Sequence, residues 1–382
     1  MSHRAIVVAL IVTSCGWIRF VSAAETAVLL KAVKSIGSEG QGSRAANQAV
    51  GELSRLNAAE LPSILRGFEN ANPLAANYLR GAVEAIADRT LKEKQPLPAE
   101  ELEKFVANTG NDPRARRLAY ELLQRLDSTI SDRLIPEMLL DPSPEFRRDA
   151  VARLLNEGTR LLNETKDQES AKATLLRALR GATDADQVKE IVKQLKTLNV
   201  EVDLQKHFGF LTTWRFIGPF DNVAFKGFDS IYPPEEKLDF TARYEGQKGE
   251  VAWDKVVSDH EYGIVNIAKQ IAPYKGATMY LATDFHSPAA RSVELRLGTP
   301  NAWKIWVNGQ LLFGRDEYHR GMAIDQYRVR AELKPGANTI LLKLCQNEQT
   351  EDWAQRYEFQ LRVCDPSGIG IVSQAAHSTS QK

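Results

Sequence analysis

Three cysteines, four methionines and six histidines are spread thinly over 382 residues, and what is missing narrows the chemistry at once. No cysteine pair has zinc-site spacing, and no His-Glu-x-x-His run, Gly-x-Ser-x-Gly elbow or Rossmann glycine pattern is present. His260, His286 and His319 are the histidines that could meet in space, yet lone histidines on strands and loops are ordinarily structural. No spaced Asp-x-Asp-x-Asp loop marks a calcium site. Neither sign of charge is in excess. Lys+Arg and Asp+Glu both number 49, so the net balance makes no case for nucleic acid or an anionic membrane as partner. No transmembrane run follows the first two dozen residues.

What is present begins with a leader. Arg4 precedes the apolar run Ala5 to Ile18, which is short for a bilayer span, and then the small residues Val21-Ser22-Ala23-Ala24. This pattern makes residues 1–24 a secretory signal peptide, cut after Ala23 or Ala24. Val12-Thr13-Ser14-Cys15 resembles the bacterial lipoprotein box and offers a second route, with a lipid on Cys15. Either route makes the protein periplasmic, cell-surface or extracellular. Loss of the leader leaves Cys345 and Cys364 on consecutive predicted strands. Pairing those strands offsets the thiols by on the order of 10 Å or more, beyond disulfide reach, so they are expected to stay free and semi-buried.

From Glu25 to about Asn199, apolar residues recur at helical spacing and are interrupted by Pro, Gly or Asn-Asp. Ala45-Ala46-Asn47 with Gly51 returns as Ala75-Ala76-Asn77 with Gly81, a shift of 30 residues from 45 to 75. Asp112-Pro113 before Arg116-Arg117-Leu118-Ala119 is matched by Ser143-Pro144 before Arg147-Arg148-Asp149-Ala150, a shift of 31 from 116 to 147. Proline suits a helix start, and the preceding Asp or Ser can cap it. Helix pairs that repeat in this way must stack to bury their apolar faces. Such an array serves either as a binding surface or as a spacer. Gly37-Ser38-Glu39-Gly40-Gln41-Gly42-Ser43 lacks the Gly-Lys-Ser/Thr ending of a phosphate loop and reads as a connection between helices.

Composition shifts near Asp203 from Leu and Arg to aromatic and β-branched residues. Trp214 to Asn222 reads as a strand ending in a Gly-Pro turn, and Tyr232-Pro233-Pro234-Glu235-Glu236 as a stiff extended crossing. Clean alternation sets Val293, Leu295 and Leu297 against Glu294 and Arg296. It sets Tyr327, Val329, Ala331 and Leu333 against Arg328, Arg330 and Glu332, and Tyr357, Phe359, Leu361 and Val363 against Glu358, Gln360 and Arg362. Strands buried on one face and solvated on the other make an antiparallel sandwich. Ala302 to Phe313 contains two β-prone runs joined by Asn308-Gly309, the signal for a tight hairpin whose turn residues accept positive φ.

The Asp-Pro, Arg, Ala and Leu pattern of residues 40–200 resembles HEAT-type repeats. Lys304-Ile305-Trp306-Val307-Asn308-Gly309, followed by Leu333-Lys334-Pro335-Gly336-Ala337-Asn338-Thr339-Ile340-Leu341-Leu342-Lys343, resembles the sugar-binding jelly roll of family 2 glycoside hydrolases, a galactose-binding-like fold. With Gly218-Pro219-Phe220 and Tyr318-His319-Arg320-Gly321, the whole chain also resembles uncharacterised exported proteins of planctomycete bacteria. The hydrolases' catalytic barrel has no counterpart, since only about twenty residues follow Val363. The expected organisation is thus a leader (1–24), a HEAT-like α-solenoid (25–203), a galactose-binding-like β-sandwich (204–366) and a disordered tail (367–382).

The loop Arg315 to Gln326 is the densest polar and aromatic segment. Tyr318 and His319 could stack on or bond to a sugar, with Arg320, Asp316 and Asp325 anchoring hydroxyls or simply pairing to order the loop. Trp303 and Trp306 point to opposite faces of one strand. If Trp306 faces outward with Leu311 and Phe313, it forms an apolar patch; otherwise a neighbouring segment covers it. Gln346-Asn347-Glu348-Gln349 with Asp352-Trp353 forms a second polar loop able to join the same rim or to hold structural calcium. The expected function is non-catalytic binding of a carbohydrate or cell-surface ligand. The alternatives are a protein-interaction scaffold and, more remotely, a glycoside hydrolase-like enzyme working through paired carboxylates.

Overall fold

The computed structural model describes residues 23–374. Residues 1–22 of the leader, Cys15 among them, lie outside the described residues. The chain divides into two compact units between Pro136 and Glu137.

The first unit is helical: α1 (Ala23–Lys34), α2 (Ser43–Leu53), α3 (Leu61–Arg66), α4 (Pro73–Lys92), α5 (Ala99–Ala107), α6 (Pro113–Leu126) and α7 (Ile130–Leu134). Proline opens α4 and α6, and the residue before it supplies the cap. Asn72 accepts from the Ala75 N–H and Asp112 from that of Arg114, both at 2.9 Å. On α4 the buried set Ala75, Ala76, Leu79, Ala82, Val83 and Ile86 follows one helical stripe. Each large aliphatic there contributes about 1.5–3 kcal/mol on burial. The Arg of the second repeat pair is internal here: Arg116 is buried and donates to the Val106 carbonyl at 2.7 Å.

The second unit begins with helices α8 (Pro144–Arg160), α9 (Gln168–Gly181), α10 (Ala185–Thr197) and α11 (Leu204–Phe208). Ser143 does not cap α8 through its side chain. Arg147, the counterpart of Arg116, is again buried and donates to the Asp141 carbonyl at 3.0 and 2.7 Å. There follow β1 (Thr213–Asp221), α12 (Pro233–Glu236), β2 (Arg243–Gly246), β3 (Gly249–Ala252), β4 (Asp254–Val257), β5 (Val265–Asn266), α13 (Ile267–Gln270), β6 (Ala277–Ser287), β7 (Arg291–Gly298), β8 (Ala302–Val307), β9 (Gln310–Arg315), β10 (Tyr327–Leu333), β11 (Gly336–Gln346) and β12 (Glu358–Cys364). The segment expected as an extended crossing therefore turns into α12 after Tyr232, because Pro233 fixes a φ that suits a helix start.

All described strand pairs are antiparallel, in a six-stranded sheet ordered β4-β1-β6-β11-β8-β9, a four-stranded sheet ordered β10-β7-β12-β5, and the β2–β3 ribbon. The two larger sheets share one core, in which Trp214, Leu281, Phe285, Trp303, Ile305 and Leu342 of the first meet Leu295, Leu297, Phe359, Leu361 and Val363 of the second. Asn308 (φ 52°) and Gly309 (φ 82°) make the expected turn. The two segments quoted for the hydrolase resemblance also meet: Asn308 Nδ2 donates to Asn338 Oδ1 at 2.9 Å, and Asn338 closes the turn on Lys334 and Gly336.

Three further expectations are corrected. The outer face of β12 is dry: Glu358, Gln360 and Arg362 are all buried. The helical segment and the tail cover it, with Arg362 donating to the carbonyls of Phe208 and Gly368. Phe208 and Phe210 in turn continue the apolar cluster of Val151, Leu175, Ile191 and Leu195 from α8 to α10. Secondly, residues 367–374 are not a loose tail. Ile371 N–H donates to the Val363 carbonyl at 2.8 Å, Gln374 N–H to that of His286 at 3.1 Å, and Ser367 Oγ accepts from Arg147 at 3.1 Å.

The third concerns Phe313. A bulge between Ile305 and Trp306 pairs Ile305 with Phe313 but Trp306 with Leu311. One extra residue reverses the facing of everything beyond it, so Phe313 joins the face of Trp303, with ring centroids 5.8 Å apart. Trp306 instead belongs to a small cluster on the outer side of the six-stranded sheet, with Ile217, Phe220, Tyr280 and Leu341, roofed by Tyr232, Leu238 and Phe240. Cys345 and Cys364 are free and buried. No helix among the described residues is long and apolar enough to cross a membrane.

Candidate functional site

Three loops meet at the end of the six-stranded sheet where β1 finishes, β6 begins and β11 finishes. The first, residues 222–231, is tied down by backbone and amide bonds: the Asn222 N–H donates to the Gly276 carbonyl at 2.8 Å, and its Nδ2 to that of Gln346 at 3.0 Å. Ala224 (φ 57°) and Phe225 (φ 62°) are consecutive left-handed residues without being glycine. That backbone costs on the order of 1–3 kcal/mol per residue and turns the Phe225 ring outward. The Ala224 N–H is satisfied by Glu348 Oε2 at 2.9 Å.

The second loop, 315–326, delivers Tyr318 and His319. Asn222 Nδ2 also donates to the Tyr318 hydroxyl at 3.2 Å, and burial pushes that phenol's pKa above its ordinary value. His319 has φ 58°, its N–H donates to the Pro300 carbonyl at 2.6 Å, and Nε2 lies 2.9 Å from Asn347 Oδ1. The third loop, 346–354, is held by Gln346 Nε2, which donates to the carbonyls of Ala354 and Arg356 at 3.1 Å each.

The result is a row of four rings drawn from three loops. Phe225 and Tyr318 lie 5.2 Å apart between centroids, Tyr318 and His319 6.3 Å, and His319 and Trp353 5.0 Å edge to face. Trp353 is 59% exposed and Phe225 52%. The row therefore ends in two open aromatic surfaces with hydroxyl, imidazole and amide groups between them. Phe225 and Asn222 were not singled out from sequence. The Asp221-Asn222 pair after a Gly-Pro turn was the local signal, but nothing local indicates that Phe225 meets Tyr318.

The other expected residues divide. Asp325 faces inward and accepts from Arg362 Nε at 2.6 Å, Arg362 Nη2 at 2.5 Å and Arg296 Nη1 at 2.7 Å. Arg320 is exposed, 3.6 Å from Glu317. Asp316 has its carboxyl raised by burial, with Asp229 adding to the shift and Lys304 opposing it. Trp306 is away from the row and lines a cleft of about 310 Å³ with Leu238, Asn308 and Lys334. His260 and His286 do not join His319: His260 Nδ1 accepts from the Tyr262 N–H, and His286 sits at the far end of β6 beside Ser373. Two oxygens of the second polar loop are engaged within the protein, Asn347 Oδ1 by His319 Nε2 at 2.9 Å and Glu348 Oε2 by the Ala224 N–H at 2.9 Å. Among the described residues no group of three or more His, Cys, Asp or Glu side chains is placed to hold a metal ion.

No protein-family model and no curated protein matches the chain. Among solved structures, a GH31 alpha-xylosidase from Xanthomonas citri is 12% identical with a TM-score of 0.20, over 40% of this chain and 16% of that one. A beta-glucosidase from Kluyveromyces marxianus in complex with glucose is 9% identical with a TM-score of 0.26, over 74% and 35%. The alkylpurine DNA glycosylase AlkC of Pseudomonas fluorescens, bound to DNA containing an abasic site analog, is 10% identical with a TM-score of 0.19, over 91% and 95%. The chain spans well under half of each of the two glycosidases. At these TM-scores the likenesses carry no argument.

Proposed function

We propose that this chain is an exported, non-catalytic binding protein that recognises a glycan along the row Phe225–Tyr318–His319–Trp353. On this reading the two sheets form a galactose-binding-like jelly roll and the helices of residues 25–203 a HEAT-like scaffold. The leader sequence of residues 1–24 supports export. The observation that carries the reading is the row itself, four rings from three loops with exposed aromatic ends and polar groups between. An exposed indole offers a flat apolar face to sugar C–H groups, and the hydroxyl and amides can meet sugar hydroxyls. Binding without turnover is favoured because three carboxylates in or beside these loops have structural duties. Asp221 pairs with Lys226 at 2.6 Å, Glu348 holds the Ala224 N–H, and Asp325 neutralises two arginines.

The test is a glycan array with the full chain, with and without calcium, followed by Trp353→Ala and His319→Ala. Binding to one glycan class, lowered about 10–100-fold by Trp353→Ala with an unchanged melting temperature, is the expected result. A blank array from a folded sample, or variants that bind like wild type, would refute the assignment and leave the protein-interaction scaffold in its place.

A further inference from the structure

The helical first unit contains a cleft of about 470 Å³ between α1 and α3. The two helices approach closely because Gly67 has no side chain: a Cβ there would lie 2.7 Å from Leu30 Cδ2. Lys31, Lys34 and Arg66 all line this cleft, and no carboxylate does. Lys34 Nζ is committed to the Glu69 carbonyl at 2.6 Å, and Arg66 Nη2 makes a 3.2 Å bond to Ser63 Oγ. Cations in the last turn of a helix can simply complement its dipole. That explanation does not cover Thr26, which lines the same cleft. It is 3% exposed, and its Oγ1 has no hydrogen-bond partner. A buried hydroxyl without a partner is costly unless something brought from outside satisfies it.

We propose that this cleft binds a phosphate or sulfate oxyanion, with Lys31 and Arg66 supplying charge and the Thr26 and Ser63 hydroxyls donating to the anion oxygens. The chemistry is shared by a small phosphorylated or sulfated solute and by an anionic lipid headgroup. It is independent of the glycan row, which lies in the other unit.

The experiment titrates the full chain with inorganic phosphate and with pyrophosphate at low ionic strength, and separately measures sedimentation with phosphatidylcholine vesicles with and without phosphatidylglycerol. Wild type, Lys31→Gln/Arg66→Gln and Thr26→Val are compared. Binding to the phosphates is expected, weakened about tenfold or more in the double variant. Binding confined to the phosphatidylglycerol vesicles, and lost in the double variant, supports the same site with a lipid source. Thr26→Val separates a ligand group from a structural one. Removing an unpartnered hydroxyl at constant shape should raise the melting temperature of the ligand-free protein and reduce the further rise caused by phosphate. A lower melting temperature in Thr26→Val, binding unchanged in the double variant, or no binding to phosphates or vesicles would each overturn the proposal.

Discussion

Replacing Asp325 with Asn tests whether that carboxylate belongs to a ligand or to the fold. Asn tolerates the φ of 60° found there and nearly preserves the shape, so the change removes mainly charge. Arg362 and Arg296 are 1% and 5% exposed in their side chains, and both contact Asp325 Oδ2, at 2.5 and 2.7 Å. Arg296 keeps Glu294 at 2.8 Å, whereas Arg362 is left with only backbone carbonyls. Deleting one partner of a buried ion cluster costs about 3–5 kcal/mol, because the stranded charge stays desolvated. For a unit of this size that corresponds to a fall in melting temperature of roughly 6–20 °C.

The pH dependence gives a second readout of the same pair. Burial by itself would raise the Asp325 carboxyl, but the bonds from Arg362 and Arg296 more than offset it and hold it below the usual carboxylate range. A depressed folded value contributes stability that is complete above about pH 3.9 and is lost as pH falls through the folded value. Wild type should therefore lose this contribution in acid, and Asp325→Asn should show a shallower acid limb. Thermal melts across that range, run beside glycan binding, are the assay. A melting shift under about 2 °C together with lost binding would refute the structural role and return Asp325 to the ligand.

Lys343 is fully buried on β11 and donates to Glu235 at 2.7 Å, to the Ser230 carbonyl at 2.7 Å and to that of Phe228 at 3.1 Å. Lys343→Met leaves the Glu235 carboxylate without its cation, with the Tyr280 hydroxyl still donating to it, and urea unfolding should show a loss of about 3–5 kcal/mol, with a change below about 1 kcal/mol contradicting this account. A Cβ on Gly227 would stand 2.5 Å from the Asp221 carbonyl oxygen and from Thr278 Oγ1. Gly227→Ala should therefore dislodge the 222–231 loop and lower both stability and any binding that uses Phe225; an unchanged melt and unchanged binding would count against the tight seat. Burial pushes the Cys345 and Cys364 thiols up to about 11 each. They should resist a thiol reagent at pH 8 until the protein unfolds, and rapid labelling of folded protein would contradict their burial.

The sequence was most informative where the physics is local. Asn308-Gly309 specifies positive φ twice, Asp112-Pro113 and Ser143-Pro144 specify helix starts, and the alternation along β10 matches its buried and exposed faces, whereas on β7 Arg296 is buried with the apolar residues. It was least informative where distant segments decide the outcome. The period-two pattern of β12 is real, yet Arg362 is buried because α11 and the tail lie over it, and no window of adjacent residues encodes that cover. The facing of Phe313 depended on a single-residue bulge, which an Asn-Gly signal does not report. At the rim, Tyr318, His319 and Trp353 were legible as polar and aromatic loop residues. Their assembly depends on Asn222, 96 residues from Tyr318 in the chain, which reads as an ordinary strand end.

The way the rim is held bears on what it can do. Loops that order only on binding spend affinity on lost conformational freedom, roughly 0.5–1.5 kcal/mol for each immobilised side chain. Here the order is already present. Asn222, Gln346 and Asn347 are 0%, 0% and 3% exposed, and their amides are bonded to one loop or another while the rings they support remain open. Strain points the same way: two left-handed non-glycine residues stand in the 222–231 loop, where Glu348 holds one N–H and Gly227 seats the chain against β6. A loop needed only to connect two strands could relax out of that backbone. Keeping it fixes Phe225 at the end of an aromatic row, and on the proposed glycan reading this pre-set row is the surface that a rigid, ring-shaped ligand would meet.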